Sequence, residues 1–361
     1  MSEFIPAARP LIGEEERAAV DRVLQSGMMA QGPEVAAFEN EFSTIVANRH
    51  CVAVNSGTSG LHMALIAAGI KQGDEVIVPS FTFAATANTV ALTGAIPVFV
   101  DIDPRTFNID PSAIEAAITP RTRAIQPVHL YGQPAAMKEI MAIAARHNLF
   151  VVEDAAQAHM ASLEGKPVGT FGIAGVFSFY PTKNMTSGEG GMISTSSNEF
   201  ARQCRLLRNQ GMEQRYMNEI VGFNTRMTDI HAAIGRVQLT KLSAWTTRRR
   251  SNAKFLNDNL KDVVTPYVAP NAIHVYHQYT IRIPGHARDE FALEMTKRGV
   301  GNGVYYPIPV HQLDSFGLNL DLPETIRASK EVLSIPVHPS LSQGELETIV
   351  SVINSIASAG A

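Results

Sequence analysis

The chain reads as an α/β protein, with a large domain built on a mostly parallel sheet and a smaller C-terminal α/β domain. Three observations predict this. Short apolar runs alternate with helical periods from Cys51 to Glu153, an order that places a largely parallel sheet between helices. The stretch Val176 to Thr195, VFSFYPTKNMTSGEGGMIST, holds a lysine in a polar turn between two strand-like ends. Beyond Trp245 the pattern changes to a long basic-polar helix followed by a mixed region. The expected division is therefore 1–245, the N-terminal helices with the large domain, and 246–361, the small domain.

Taken in order, residues 13 to 48 carry helical periodicity broken at Ser26-Gly27 and at Gln31-Gly32-Pro33, so two helices around a loop are expected. Cys51 to Asn55 is a short buried strand. Ser56-Gly57-Thr58-Ser59-Gly60 then leads into a helix from Leu61. Free N–H groups and the positive end of the helix dipole make such a turn a natural phosphate cradle. The same turn serves equally as a plain N-cap by Ser56 or Thr58, with no ligand. Glu75 to Pro79 and Ile96 to Val100 are strand-like, with Phe83 to Thr93 helical between them. Ala124 to Val128, a helix over Ala135 to His147 and the strand Leu149 to Glu153 repeat the unit. In the C-terminal part a helix over 241–260, strands near Tyr276 to Ile283 and Gly303 to Tyr306, and helices near 287–298, 323–333 and 342–357 are expected.

Composition narrows the function. The chain has 361 residues, 45% hydrophobic and 18% charged, enough to bury a large core. Thirty basic and 34 acidic residues give a net charge of -4, which offers no electrostatic footprint for nucleic acid. The one basic cluster, Arg248-Arg249-Arg250, lies in a helical pattern and reads as a solvated face or a subunit contact. Two distant cysteines make no disulfide framework, and no signal peptide pattern or 18-residue apolar run occurs. A cytoplasmic location follows as the expectation. The 11 histidines lack paired spacing, so no metal is expected.

Two groups stand out chemically. Lys183 sits in the turn between strands, beside the hydroxyl of Ser178 and the glycines Gly188, Gly190 and Gly191, a setting suited to imine chemistry; taken alone it is also compatible with a solvated loop charge. Asp154 directly follows an apolar strand, where open α/β sheets present polar groups to ligands, and it is a candidate partner for a ring N–H or a cation. Capping of a following helix is the competing role. No G-x-G-x-x-G or G-x-x-x-x-G-K-[ST] pattern occurs, which weighs against nicotinamide and nucleoside-triphosphate chemistry.

The segments NSGTSG (55–60), FTFAATAN (81–88), VEDAAQAH (152–159), SFYPTKNMTSGEGG (from Ser178) and GFNTRMTDIHAAIGRVQL (222–239) together resemble the DegT/DnrJ/EryC1 family of pyridoxal-phosphate-dependent nucleotide-sugar aminotransferases. They stand in that family's order and spacing, and the resemblance extends through VYYPIPVHQ (304–312) and LSIPVHPSLS (333–342). It implies the fold-type I architecture of aspartate aminotransferase and pyridoxal 5'-phosphate as cofactor. Lys183 would be the catalytic residue, joined to the cofactor as a Schiff base and later moving the proton. Asp154 would pair with the pyridine nitrogen, Phe83 would stack on the ring, and Gln157 would lie near the phenolic oxygen. Gly57, Thr58, Ser59 and Ser178 would hold the phosphate. Asn224 would reach the phosphate of the neighbouring subunit's cofactor, so a homodimer with shared active sites is implied. Arg226, Tyr305, Tyr306 and His311 are the candidates nearest substrate.

The implied activity moves an amino group, from L-glutamate, to a keto carbon of a nucleotide-linked deoxyhexose for amino-sugar biosynthesis, with a 3-keto sugar favoured over a 4-keto sugar. Relatives carry histidine where Tyr305 stands, an aromatic where Thr225 stands and glycine where Met160 stands. Two rival readings share the scaffold. One is a pyridoxal-dependent dehydratase or lyase, a branch in which some members replace the lysine with histidine. The other is a non-catalytic regulatory or binding protein, which predicts loss of cofactor residues.

Overall fold

The computed structural model of the protein describes residues 4–285 and 287–359. Its central sheet has seven strands: β1 His50–Val54, β2 Glu75–Pro79, β3 Ile96–Val100, β4 Thr122–Ile125, β5 Phe150–Asp154, β6 Ala174–Ser178 and β7 Gly191–Thr195. Their spatial order is β1-β7-β6-β5-β4-β2-β3. The pairs from β3 across to β6 are parallel, and β7 runs antiparallel to both β6 and β1. The single reversal is what makes the lysine loop a hairpin connection. All five residues of β2, EVIVP, are buried, as expected of a strand covered by helices on both faces.

Alternation along the strands assigns the faces. Val76, Val152, Val176 and Ile193 pack with α3 (Gly57–Ala67), α4 (Ala85–Leu92) and α7 (Asn198–Arg208). On the other face Ile77, Ile125 and Val151 pack with α5 (Pro111–Ala116) and α6 (Met137–His147). Farther along that face, Ala53, Phe177 and Met192 meet α2 (Pro33–Ser43) and α8 (Asp229–Asn259). The N-terminal pair predicted over 13–48 is α1 (Glu14–Ser26) with α2.

In the C-terminal region strands Tyr279–Arg282 and Val332–Ile335 pair antiparallel. They pack with α9 (Arg288–Lys297) and α11 (Gln343–Ala359) around Phe291, Met295, Ile349 and Ile353, and Ile5 from the N-terminal segment joins that core. The helix expected over 241–260 is the second half of α8, which runs unbroken through Trp245. Its buried residues change allegiance along the way: Ala232 and Leu242 belong to the large-domain core, Ala253 and Leu256 to the C-terminal one. The change of core falls along one continuous helix, which spans the division proposed at residue 245.

Three expectations need correction. Gly303 to Tyr306 is not a strand; only Gly303 bridges Ser334, after which the chain turns toward the large domain. The helix expected to reach 333 is α10 (Pro323–Glu331), and its last expected residues start the strand Val332–Ile335. The triple-arginine run is not simply a solvated face. Arg249 is buried, its Nη1 donates to the carbonyls of Tyr276 at 3.1 Å and His277 at 3.4 Å, and burial pulls its guanidinium down to about 10.

Asp229 shows how one carboxylate joins distant segments. Thr228 Oγ1 accepts from His231 N–H and caps α8, so Asp229 is free to serve α2. Its Oδ1 accepts from Gly32 N–H at 2.8 Å and Val35 N–H at 3.0 Å, its Oδ2 from Glu34 N–H at 3.2 Å. These are the otherwise unpaired donors of a helix start. Asp229→Ala is expected to cost roughly 2–3 kcal/mol in chemical denaturation, and Asp229→Asn, which still accepts hydrogen bonds, less.

Candidate active site

A cleft of about 530 Å³ opens where the carboxyl ends of β5 and β6 meet the first turns of α3 and α4 and the segment carrying Tyr305 and Tyr306. This is the edge at which open α/β sheets bind ligands. Of the residues singled out from sequence, Gly57, Thr58, Phe83, Asp154, Gln157, Ser178, Lys183, Tyr305 and Tyr306 all line it. They arrive from five separate stretches of chain.

The floor is built by short-range folding. Ser56 Oγ accepts from Ser59 N–H at 3.1 Å and caps α3, which leaves the N–H groups of Gly57 and Thr58 without a partner among the described residues. A Cβ on Gly57 would lie 2.8 Å from the Ser178 Cβ, and one on Gly191 would lie 2.6 Å from the Ser56 carbonyl carbon. Glycine is required at both places for the two turns to close on each other. An N-cap and an anion cradle therefore coexist in this turn. Ser59 Oγ accepts from the Ser56 hydroxyl at 3.0 Å, and Ser59 is not on the cleft wall.

Lys183 stands on a loop stiffened from within. Thr186 Oγ1 donates to the Phe179 carbonyl at 2.8 Å, Gly188 N–H to Thr186 Oγ1 at 2.9 Å, and Lys183 N–H to the Tyr180 carbonyl at 2.9 Å. Its Nζ has no hydrogen-bond partner among the described residues. Burial pulls the ammonium down to about 8, against the opposing attraction of Asp154. Asp154 responds oppositely: burial pushes its carboxyl up, opposed first by the Thr86 hydroxyl at 2.9 Å and then by the Ala156 N–H at 3.2 Å. No regular helix starts at Asp154, so the capping role reduces to that single Ala156 bond.

Around these two groups the wall is aromatic and polar. Phe83 is 58% exposed, a large apolar face turned to open space, with its ring centroid 6.0 Å from that of Tyr306. Gln157 Oε1 accepts from Tyr131 N–H at 2.7 Å, and its Nε2 donates to the Tyr306 hydroxyl at 3.1 Å. Burial pushes the Tyr306 phenol up, so it keeps its proton. His159, deep among Phe42, Phe177 and Phe179, is driven down to about 3 by burial and stays neutral. Met160, where relatives carry glycine, keeps a left-handed backbone at φ 65°.

Besides Ser59, three expected residues lie elsewhere. His311 is buried outside the cleft, its Nδ1 2.6 Å from Ser80 Oγ and its ring against Phe99. Arg226 donates to Asn209 Oδ1 at 2.8 Å, and Asn224 is exposed on the same edge, bridged to Asn209. Conversely, Thr82, His277 and Gln278 line the cleft and were not singled out. Thr82 lies inside the FTFAATAN motif, whose hydroxyls could have been read along with Phe83; nothing local marks His277 and Gln278.

The residues present fit pyridoxal 5'-phosphate. Two unpaired N–H groups beside Ser178 suit its phosphate, the bare face of Phe83 suits its ring, Asp154 suits a ring N–H, and an unpartnered amine with lowered proton affinity suits its aldehyde. An amine with a lowered pKa is neutral over a wider range, so labelling of Lys183 in cofactor-free protein is expected to reach half its maximal rate near pH 8. In Asp154→Asn, which removes the attraction favouring the ammonium, the midpoint should move lower. Mass spectrometry of the labelled peptide across pH reads both.

Residues 10–354 match the DegT/DnrJ/EryC1/StrS aminotransferase family. The chain is 44% identical to a pleiotropic regulatory protein of Geobacillus stearothermophilus over 92% of each chain. It is 41% identical to UDP-N-acetyl-3-dehydro-α-D-glucosamine 3-aminotransferase of Acidithiobacillus ferrooxidans, covering 94% of this chain and 93% of that one. Among solved structures, DesV from S. venezuelae in complex with a ketimine intermediate superposes with a TM-score of 0.93 at 38% identity, covering 98% of this chain and 99% of the other. With the cleft geometry, these likenesses establish that the chain belongs to the DegT/DnrJ/EryC1/StrS aminotransferase family and is a pyridoxal-phosphate-dependent enzyme.

Proposed function

We propose that the protein transfers an amino group from L-glutamate to the 3-keto carbon of a nucleotide-linked deoxyhexose, as a step in amino-sugar biosynthesis. The observation that carries this reading is Lys183: an unpartnered amine of lowered proton affinity facing Asp154 across a cleft that also holds an anion cradle. When bound, pyridoxal phosphate supplies an aldehyde that takes up the amino group and a ring that stores electrons. The chain's own groups do the rest. Lys183 Nζ, whose ammonium burial pulls down to about 8, accepts a proton and returns it. Asp154 provides the anionic acceptor for a ring N–H, and the α3 turn anchors the phosphate.

On the sugar side, Tyr306 accepts from Gln157 and retains its own proton to donate, while Tyr305 lies beside it on the rim. The relative from Acidithiobacillus, named for a 3-dehydro sugar, supports the 3-position. Asn224, exposed at a sheet edge and off its own cleft, supports a homodimer in which Asn224 of the partner subunit reaches the phosphate. Cytoplasmic placement fits the described residues, where no helix is long and apolar enough to cross a membrane.

The regulatory reading takes support from the Geobacillus relative's name, yet Lys183, Asp154, Gln157 and the cradle all remain. A dehydratase or lyase would leave the amino donor unconsumed. The purified protein is expected to show the long-wavelength band of lysine-bound cofactor, replaced by the shorter-wavelength band of its amine form when glutamate is added. Lys183→Ala should lose turnover by at least about a thousand-fold; full turnover in that variant would sink the mechanism. Tyr305→Ala is expected to raise KM for the sugar roughly tenfold and leave the donor half-reaction unchanged, as read by stopped-flow absorbance of each half.

A further inference from the structure

The strand alone does not hold the carboxylate that faces the cofactor ring. Thr86, in the first turn of α4, is fully buried, and its Oγ1 donates to Asp154 Oδ2 at 2.9 Å. Thr82 Oγ1 lies 3.0 Å from Thr86 Oγ1, and Gln126 Nε2 donates to the Thr86 carbonyl at 2.8 Å. A hydroxyl has one proton to give. Since Thr86 gives its proton to Asp154, the contact between the two threonines is a donation from Thr82. The pair forms a directed relay in which each donation polarises the next and the last falls on the carboxylate. Thr82 itself lies on the cleft wall.

We propose that Thr86 is a positioning residue for the cofactor: with Thr82 behind it, it holds the Asp154 carboxylate ionised and presented to the cleft, where a ring N–H requires an anionic acceptor. The inference rests on the assigned cofactor and is independent of the sugar and the donor. The other groups facing Asp154 are few. Lys183 approaches from the loop after β6, His129 from the chain after β4, and Tyr306 from the 305–306 segment. His129 Nδ1 accepts from Ala135 N–H at 3.0 Å, so its proton is on Nε2, toward Glu153, and the ring is neutral. Tyr306 keeps its proton. Lys183 is therefore the one cation of the three, and whenever it is neutral or engaged elsewhere the Thr86 hydroxyl and the Ala156 N–H remain to favour the ionised carboxylate. Burial pushes the Asp154 carboxyl up, and Thr86 is the largest influence opposing it.

The sign of the effect follows. Removing a donor to the ionised form raises the pH at which the carboxyl loses its proton. Cofactor affinity should then fall away at a higher pH as the solution is acidified. The test is the dissociation constant of pyridoxal phosphate, measured by absorbance across pH on the full-length protein, for wild type, Thr86→Val and Thr86→Ser. Thr86→Val keeps the shape and removes the hydroxyl. It is expected to raise Kd about ten- to a hundred-fold at neutral pH and to move the acid break upward by about one pH unit, with Thr86→Ser restoring both. An unmoved break overturns the proposal, whether affinity is unchanged or lost equally at every pH, because a merely structural threonine produces those results. If circular dichroism shows Thr86→Val unfolded, Thr82→Val carries the same test one hydroxyl farther out. A smaller upward move of the break supports the relay there, and no move overturns it. A wild-type protein that takes up no pyridoxal phosphate at any pH would remove the cofactor assignment itself, and the proposal with it.

Discussion

Two adjacent carboxylates at the end of β5 set the frame for the site. Because successive side chains of a strand point to opposite faces, Glu153 and Asp154 cannot do the same job. Glu153 Oε1 accepts from Phe171 and Gly172 N–H at 2.7 and 2.8 Å; its Oε2 accepts from Gly169 N–H at 2.7 Å and His129 Nε2 at 3.1 Å. A fully buried charge with four donors is satisfied, and one left without them would cost several kcal/mol. This arrangement fastens the loop entering β6 and the turn at Leu130–Gly132 to the end of β5. Asp154 on the opposite face, Ser178 at the end of β6 and Gln157 against Tyr131 take their positions from it.

What the sequence discloses is mostly what folding keeps contiguous. The turn from Ser56 to Gly60 contains its own cap and its own unpaired N–H groups, so five residues in a row state both roles. The lysine loop is likewise self-contained, with Thr186 and Gly188 closing it on Phe179. The alternating apolar runs predict the parallel sheet because both faces of each strand are covered, and no polar alternation interrupts them.

The unread parts depend on partners far away in the chain. Val332–Ile335 pairs with a strand about fifty residues earlier and follows directly on a helix, so helical periodicity ran over its first residues. Arg249 sits between two other arginines, and nothing in that run says which one turns inward; the carbonyls of Tyr276 and His277 decide it. His311 belongs to a segment rich in groups suited to substrate, yet Ser80 claims its ring from the large domain. Thr86 lies in a quoted motif, but its meaning depends on Asp154, sixty-eight residues on.

The chemistry of the cleft sets two requirements against each other. Lys183 has to release its proton near neutral pH, while Asp154, a short way across the same cleft, has to stay ionised. Burial opposes the charged form of both. Their mutual attraction favours the charged form of both, which serves Asp154 and works against Lys183. An asymmetry of donors separates them. Asp154 receives the Thr86 hydroxyl and the Ala156 N–H, each of which favours the anion. Lys183 Nζ is given no acceptor among the described residues, so nothing beyond the attraction of Asp154 offsets the burial that favours the free amine. His159 and His277 nearby are both held neutral by burial, and the charge of Lys183 pushes each further toward that form. The cleft thus carries one secured anion and one amine that gains and loses its proton easily. Proton transfer at a carbon next to an electron-storing ring requires that combination.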